Sequence, residues 1–367
     1  MSAAARVSNL QDAISAIAEP EVGKLFTGIV VAVDTPSDRV SFVAGAVDEG
    51  GSDVTASTPF DIASITKVVA AAAALRMVEI GCLDLEEPAG QSLSGPLADV
   101  LGGATIRDLL AHTSGLRPGV SGLPPGTPWP VSLVDSFRAN PWNWTTIASA
   151  ARDTGPKGSV RYSDLNFLVL GHLLAERTGH PLDVIVTEQV LTPLGMSATT
   201  WGPRPEACAT SPFDHARGVP IRGTVHDPSA YHLGGVAGSA GLFANVDDLL
   251  RFGHSFAHRR SGFLSEELVT QATSLQAEGE GNRRGLGWQL RPDWDDASSA
   301  AFSRDSFGHT GFTGTMLWVD PVRETVMVIL TNGAYRNYSF AAGSPLLLCV
   351  SRIAAVVARA ADTSVVE

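Results

Sequence analysis

The sequence predicts an α/β (α+β) fold in which both ends of the chain build one sheet and a mainly helical lobe is inserted between them. Near the start, residues 26–34 (FTGIVVAVD) and 40–46 (VSFVAGA) are rich in β-branched residues and flank a Pro-Ser-Asp turn. In the last third, residues 313–319 (TGTMLWV) and 325–331 (TVMVILT) form a second strand pair, joined through a turn that contains Pro321. The patterns between these ends are mostly helical, so we expect the terminal strands to share one sheet.

The helices and the predicted boundaries follow from the same patterns. A long apolar helix is predicted from about 64 to 80, with Gly81 in the position that commonly ends a helix. We expect residues 1–82 and 285–367 to form the sheet lobe and residues 83–284 to form a mainly helical lobe with irregular loops. The chain shows no internal repeat.

Composition excludes several classes of function. The 367 residues are 44% hydrophobic and carry a net charge of −12, which argues against nucleic-acid binding because that needs a basic surface. No stretch approaches the roughly 18 to 20 apolar residues of a membrane span. The first residues lack the basic and apolar regions of an export signal, and the three cysteines are far apart. We therefore expect a cytoplasmic protein with no nucleic-acid or membrane partner.

One short stretch of the long helix carries two polar side chains that could take part in a reaction. In FDIASITKVV, Ser64 and Lys67 are three residues apart and share one helix face. The positive end of the helix dipole and an apolar setting both oppose protonation of Lys67, so a neutral lysine is expected to accept the serine proton. The alternative is a capping serine beside a lysine that extends to solvent, because a serine three residues before a lysine is a weak signal by itself.

Two later stretches also place polar residues next to apolar elements. Arg161-Tyr162-Ser163-Asp164 begins an apolar helical segment, and a buried tyrosine with polar neighbours is most often structural. Gly308-His309-Thr310-Gly311 precedes the strand TGTMLWV, and its glycines allow a close approach of backbone to a ligand.

These three motifs, in this order, resemble those of the serine β-lactamase-like superfamily. That group includes class C β-lactamases, D-alanyl-D-alanine carboxypeptidases and β-lactamase-fold esterases. The resemblance covers residues from about 26 to 358 and includes LLAHTSGL, YSDLNFLVLGHLLAERTG, LGGVAGSAGLF and GHTGFTGTMLWVDP. It implies a β-lactamase/transpeptidase-like fold, with a mainly antiparallel sheet flanked by helices, an all-helical lobe and the active site between them.

The resemblance also implies roles for individual residues. Ser64 would attack a carbonyl and form an acyl-enzyme, while Lys67 and Tyr162 would share the proton transfers. The backbone N–H groups of Ser64 and Phe312 would form the oxyanion hole. His309, Thr310 and Gly311 would line the site, with His309 and Thr310 in contact with the substrate or the Tyr162 hydroxyl.

Two positions depart from the pattern of class C β-lactamases. Those enzymes usually carry Tyr-x-Asn and Lys-Thr-Gly, whereas this chain has Asp164 and His309 at the corresponding places. An ionised carboxylate cannot donate to a substrate carbonyl as an amide does, and a histidine near neutral pH is not a fixed cation. Both changes argue against penicillins or D-alanyl-D-alanine peptides as the natural substrate.

Other candidate sites are weaker. His226 and Asp227 could belong to a Ser-His-Asp triad, but an aspartate before proline is a common turn starter. Ser239 lies in GSAG without the first glycine of a nucleophile elbow. An irregular Pro-rich region contains Trp129, Trp142 and Trp144. These tryptophans are as consistent with a core as with the lining of a cleft for an apolar acyl group. No histidine spacing indicates a metal site, and no cofactor is expected.

The sequence therefore predicts a serine hydrolase that cleaves ester or amide bonds of a small molecule through a Ser64 acyl-enzyme, more esterase-like than a true β-lactamase. An acyltransferase of the same fold, a D-amino-acid peptidase or β-lactamase, and a non-catalytic binding module are the alternatives. An intact set of Ser64, Lys67 and Tyr162 argues against the binding module.

Overall fold

The computed structural model describes residues 3–119, 147–148, 155–202, 208–214, 219–257, 262–279, 282–291, 301–333 and 344–364. Its strands are β1 (Gly28–Asp34), β2 (Arg39–Gly45), β3 (Phe60–Asp61), β4 (Thr200–Trp201), β5 (Ser211–Asp214), β6 (Val219–Ile221), β7 (Leu242–Ala244), β8 (Ala277–Gly279), β9 (Asn282–Arg284), β10 (Gln289–Leu290), β11 (Phe307–Gly311), β12 (Thr315–Asp320) and β13 (Thr325–Thr331). Its helices are α1 (Ala3–Ala18), α2 (Thr66–Glu79), α3 (Pro96–Leu101), α4 (Ile106–Leu110), α5 (Asp164–Thr178), α6 (Leu182–Val186), α7 (Pro228–His232), α8 (Val246–Ala257), α9 (Glu266–Thr273) and α10 (Pro345–Ser364).

One eight-stranded sheet organises the described part of the chain. Its order is β2-β1-β13-β12-β11-β10-β9-β8, and every neighbouring pair is antiparallel. The first and last strands meet in the sheet, with Ile29 opposite Thr331. The prediction that the two ends of the chain build one antiparallel sheet flanked by helices is confirmed.

The predicted boundary at residue 285 falls inside this sheet. The strands β8 and β9 precede it and pair with each other, and β9 pairs with β10 after it. The helix α8 also precedes the boundary and packs on β1, β12 and β13. Sequence patterns missed β8 and β9 because three-residue strands are too short to show an alternation. The division into two lobes remains a prediction.

Both faces of the sheet are buried, which explains the nearly continuous apolar runs of its central strands. Along β1, Val30 and Ala32 face the core that contains α2, whereas Ile29 and Val31 face the core formed with α1 and α10. This alternation is the two-residue period of a strand. The sheet thus lies between two helical layers, and β11 is an inner strand that pairs with β12 on one side and β10 on the other.

The long helix begins slightly later than predicted. A single-turn 3-10 helix, Ala63–Ile65, precedes α2, so Ser64 lies just before the α-helix and Lys67 in its first turn. The predicted end is confirmed, because Gly81 adopts a φ of 73° beyond the last helical residue. Within the described ranges, no helix is both long enough and apolar enough to cross a membrane.

Candidate active site

The turn that carries Ser64 is held in an unusual backbone conformation. Ala63 has a φ of 46°, which is rare for a residue with a side chain. The Asp61 carboxylate fixes the turn, because it accepts the Ala63 N–H at 2.9 Å and the His226 N–H at 2.8 Å. Ser64 itself is half-buried at the surface of this turn. Strain of this kind persists only where surrounding contacts hold it, and it is frequent at functional sites.

The strand β11 packs directly against the same turn, and only a glycine fits at the contact. A Cβ atom on Gly311 would lie 2.6 Å from the Ile62 carbonyl oxygen and 2.1 Å from the Thr315 hydroxyl oxygen. Two threonines tie the strand region to the turn: Thr313 donates to the Asp61 carbonyl at 2.7 Å and Thr315 to the Ile62 carbonyl at 3.3 Å. The structure thus brings Gly311 beside Ser64, as the resemblance implied.

Lys67 is 1% exposed and lies beneath the Ser64 hydroxyl. Its Nζ is 2.9 Å from Ser64 Oγ, 2.9 Å from the Ser239 carbonyl oxygen and 2.8 Å from Asp164 Oδ1. An ammonium group has three N–H donors and no acceptor. The three oxygens therefore match the three protons of a charged lysine.

The charge state of Lys67 differs from the expectation of a neutral lysine. Burial lowers the pKa of Lys67, but the charges of Asp164 and Tyr162 and their hydrogen bonds outweigh burial and raise it above its ordinary value. The apolar setting and the helix dipole both oppose protonation of Lys67, but the carboxylate of Asp164, which sequence spacing does not place, favours it. The prediction of a neutral resting lysine is therefore wrong, and Lys67 is a cation paired with Asp164.

The hydroxyl oxygen of Tyr162 lies 3.0 Å from Ser64 Oγ. Its ring is held between the Lys67 ammonium, 5.2 Å from the ring centroid, and the His112 ring, 4.7 Å away between centroids. The Tyr162 hydroxyl donates to Ser64 Oγ, which also accepts a proton of Lys67. The arrangement brings the three residues of the sequence prediction together.

His112 supports this arrangement from the core. Its backbone φ is 59°, and its Nδ1 accepts the Ser163 N–H at 3.1 Å. Nδ1 also lies 3.1 Å from the Asn166 amide nitrogen. Burial, followed by the charge of Arg284, holds the pKa of His112 well below its usual range. The histidine is thus neutral and can accept both hydrogen bonds at Nδ1.

His309 is also neutral and buried. Burial lowers its pKa to about 3, with smaller contributions from Arg284 and Lys67. Its Nδ1 donates to the Thr310 carbonyl oxygen at 2.8 Å, and its ring lies 6.0 Å from the Tyr162 ring. His309 therefore borders Tyr162 but supplies no positive charge. The next residue, Thr310, is partly exposed.

Phe312 follows β11 next to the Ser64 turn and is half-buried. Its ring stacks on the His226 ring, with centroids 5.3 Å apart and an interplanar angle of 16°. The oxyanion role of its backbone N–H remains a prediction. The three tryptophans that were considered for the cleft lining, Trp129, Trp142 and Trp144, lie outside the described residues.

Two further charged residues lie near the site: Asp227, which the sequence suggested only for an alternative triad, and Arg284, which no sequence pattern indicated. Asp227 caps α7, with Oδ1 accepting the Ala230 N–H at 2.7 Å. Burial and, next, the charge of Asp164 raise the pKa of Asp227 to about 6. Arg284, the last residue of β9, lies over the Tyr162 ring with its Cζ 5.1 Å from the centroid. A three-residue strand gives no periodic signal, so its sequence context did not indicate a place in the site.

Comparison with known proteins agrees with the fold. The family model described as Beta-lactamase matches residues 15–351. A protein of Escherichia coli (strain K12), whose name provisionally assigns it as a D-alanyl-D-alanine carboxypeptidase, is 28% identical over 310 residues, which are 76% of this chain and 70% of that protein.

Solved structures show the same fold at low sequence identity. EstCE1, described as a hydrolase with promiscuous acyltransferase activity, has a TM-score of 0.73 and 20% identity, over 95% of this chain and 99% of its own. The D-amino acid amidase from Ochrobactrum anthropi SV3, in complex with L-phenylalanine, has a TM-score of 0.71 and 21% identity, over 97% and 99% of the two chains. The chain belongs to the beta-lactamase family of β-lactamase-fold serine hydrolases.

Proposed function

We propose that this protein hydrolyses ester or amide bonds of a small molecule through an acyl-enzyme on Ser64, with a preference for esters. The observation that carries the proposal is the hydrogen-bond set of Lys67. Its three protons are directed at Ser64 Oγ, the Ser239 carbonyl and Asp164, so Lys67 cannot accept the serine proton. The Tyr162 oxygen, 3.0 Å from Ser64 Oγ, is the neighbouring atom that can accept it once Tyr162 has lost its own proton. The nucleophile therefore has a neighbouring cation to stabilise its negative charge and a separate acceptor for its proton.

The proposed reaction balances in two half-reactions. Tyr162, in its ionised form, takes the Ser64 proton as Oγ bonds to the carbonyl carbon, and the tetrahedral intermediate forms. The Tyr162 hydroxyl then gives this proton to the leaving alkoxide or amine as the acyl–heteroatom bond breaks. Water repeats the cycle: Tyr162 takes a proton from water, the hydroxide attacks the ester, and the proton returns to Ser64. The Lys67 ammonium stays charged throughout.

The environments of Asp164 and His309 support an esterase-like preference. Asp164 is engaged with Lys67 at 2.8 Å, so it is not available to recognise a substrate amide in the way that a neutral asparagine is. His309 is neutral because burial lowers its pKa to about 3, and it offers no fixed cation to a substrate carboxylate. A simple ester needs neither group.

Turnover of nitrophenyl esters of increasing acyl length tests this proposal. We expect the wild-type protein to hydrolyse at least one of these esters and Ser64→Ala to lose the activity, while a cephalosporin is turned over weakly or not at all. Ester hydrolysis that persists in Ser64→Ala would contradict the proposed nucleophile.

The same intermediate could pass its acyl group to an alcohol or amine instead of water. The structural neighbour EstCE1 is described as a hydrolase with promiscuous acyltransferase activity. Incubation with an ester and a panel of acceptors, read by product mass, separates the two activities. Acylated acceptor in excess of free acid would support a transferase, whereas free acid alone at every acceptor concentration would support a hydrolase.

A further inference from the structure

We infer that Arg284 is a positioning residue for the proposed reaction: its buried guanidinium lies over the Tyr162 ring and stabilises the negative charge that Tyr162 carries as the base. The inference rests on the proposed role of Tyr162. It assigns a cationic function to a residue of β9, outside the three motifs of the family resemblance.

The first support is the position of the guanidinium. Arg284 is 4% exposed, and its Cζ lies 5.1 Å from the centroid of the Tyr162 ring. Its Nη2 donates to Asn282 Oδ1 at 3.3 Å, while Nε and Nη1 are buried and have no hydrogen-bond partner in the described part of the chain. A guanidinium has five N–H donors, so most of them have no partner within the described ranges.

The second support is the cost of this arrangement. A buried cation without an anionic partner is strongly destabilising, and contact with a neutral aromatic ring returns only part of that cost. Burial lowers the pKa of Arg284 to about 10, and the charge of Tyr162 opposes this effect. Arg284 therefore remains a cation at neutral pH, and the Tyr162 oxygen is the place beside it where the proposed reaction develops negative charge.

The third support is the balance of charge around Tyr162. Lys67, from α2, is paired with Asp164 of α5 at 2.8 Å. His112, which follows α4, and His309, on β11, are neutral because burial lowers the pKa of each. Arg284 is thus the neighbour of Tyr162 whose positive charge has no carboxylate partner among the described residues. One negative charge on Tyr162 balances it.

The adjacent residue provides a matched control. Arg283 precedes Arg284 on β9 and is also buried, at 9% exposure. Successive residues of a strand point to opposite faces, and the Arg283 Nη1 donates to the Arg291 carbonyl at 2.8 Å. Replacement of Arg283 therefore removes a buried arginine from the same strand without removing the cation over Tyr162.

The test compares Arg284→Met, Arg284→Lys and Arg283→Met in single-turnover acylation by a nitrophenyl ester between about pH 6 and 10. We expect Arg284→Met to slow acylation by about 10-fold or more near pH 7 with unchanged substrate affinity, and the deficit to shrink as pH rises. Arg284→Lys should recover most of the rate, because it keeps the charge. Arg283→Met should keep the pH dependence of the wild type.

Several results would overturn the inference. A deficit of equal size at every pH, or a better recovery by Met than by Lys, would indicate packing instead of charge. A loss of affinity confined to carboxylate-bearing esters would indicate a substrate-binding arginine. If Arg284→Met does not fold, Arg284→Gln and Arg284→Lys give the same comparison of neutral and charged side chains.

Tyr162→Phe separates this inference from the proposed function. If Tyr162→Phe acylates as fast as the wild type, the proposed base is wrong and the role of Arg284 falls with it. If Tyr162→Phe is inactive while Arg284→Met acylates normally at every pH, only the inference about Arg284 is overturned.

Discussion

The ammonium of Lys67 and the carboxylate of Asp164 form an ion pair of 2.8 Å directly beneath the Ser64 hydroxyl. Lys67 is 1% exposed, so the pair holds a charge that the protein would otherwise not bury. The pair also decides which group takes the serine proton, because a lysine held as a cation cannot accept it. The carboxylate of Asp164 is therefore engaged by Lys67 and is not a free group for binding a substrate.

Replacement of Asp164 by Asn should destabilise the fold. The pKa of Lys67 is raised in the folded protein by the charges of Asp164 and Tyr162, so this contribution to stability is fully present at neutral pH and is lost only as pH rises through that raised pKa. We expect Asp164→Asn to lower the free energy of unfolding by about 1–3 kcal/mol at pH 7, because asparagine keeps an oxygen for Lys67 but not the charge. Urea unfolding measures this change.

Asp183→Asn is the matched control for this prediction. Asp183, like Asp164, is an acidic residue in the first turn of a helix. Loss of its favourable interaction with the helix dipole should cost only about 0.3–1 kcal/mol. Equal losses in the two variants would mean that the pair with Lys67 adds nothing to stability.

Tyr162→Phe should lower kcat by about 10²–10⁴-fold and leave the fold intact. The substitution removes the oxygen that lies 3.0 Å from Ser64 Oγ and keeps the ring between its neighbours. Tyr231→Phe is the control, because Tyr231 is 42% exposed on α7. Steady-state ester hydrolysis and thermal unfolding of both variants give the comparison, and a fully active Tyr162→Phe would refute the assigned base.

Gly311→Ala should impair both stability and activity. Its new methyl group would meet the Ile62 carbonyl oxygen and the Thr315 hydroxyl at distances that force β11 away from the Ser64 turn. We expect a loss of about 1–3 kcal/mol in unfolding free energy and a fall in kcat. Gly103→Ala is the control, because its Cβ would meet only the flexible Lys157 side chain, at 3.5 Å. Wild-type activity in Gly311→Ala would contradict the close packing described for the turn.

Asp227→Asn should stabilise the protein in a pH-dependent way. The folded state raises the pKa of Asp227 from 3.8 to about 6, so ionisation costs stability as pH rises through that value. Asparagine keeps the oxygen that caps α7. We expect a gain of up to about 3 kcal/mol at pH 7.5 that disappears below about pH 4, measured by urea unfolding at both pH values. A gain that is independent of pH would show that the charge of Asp227 is not its cause.

The sheet could be predicted because the strand pairs from the two ends of the chain are β-branched runs with clear turns. Ser64, Lys67 and Tyr162 were each weak signals alone, and only the order of the three motifs along the chain indicated a common site. The short strands β8 and β9 gave no such signal, so the predicted boundary at 285 divided the sheet.

Charge states were the part of the site that sequence spacing could not supply. The neutral lysine expected at position 67 depended on its helix alone, whereas the raised pKa comes from Asp164, almost a hundred positions away in the chain. The same holds for Arg284, whose place over Tyr162 results from the packing of a short strand. Long-range pairs of charges require the fold before they can be seen.

The most direct measurement is the mass of the intact protein, followed by peptide mapping, after brief exposure to a nitrophenyl ester and an acid quench. The account predicts one acyl group per chain, attached to the peptide that contains Ser64, and no adduct in Ser64→Ala. The proposed Ser64 acyl-enzyme would be contradicted by an adduct that persists in Ser64→Ala. It would also be contradicted by an acyl group on another residue of the wild-type protein quenched during turnover.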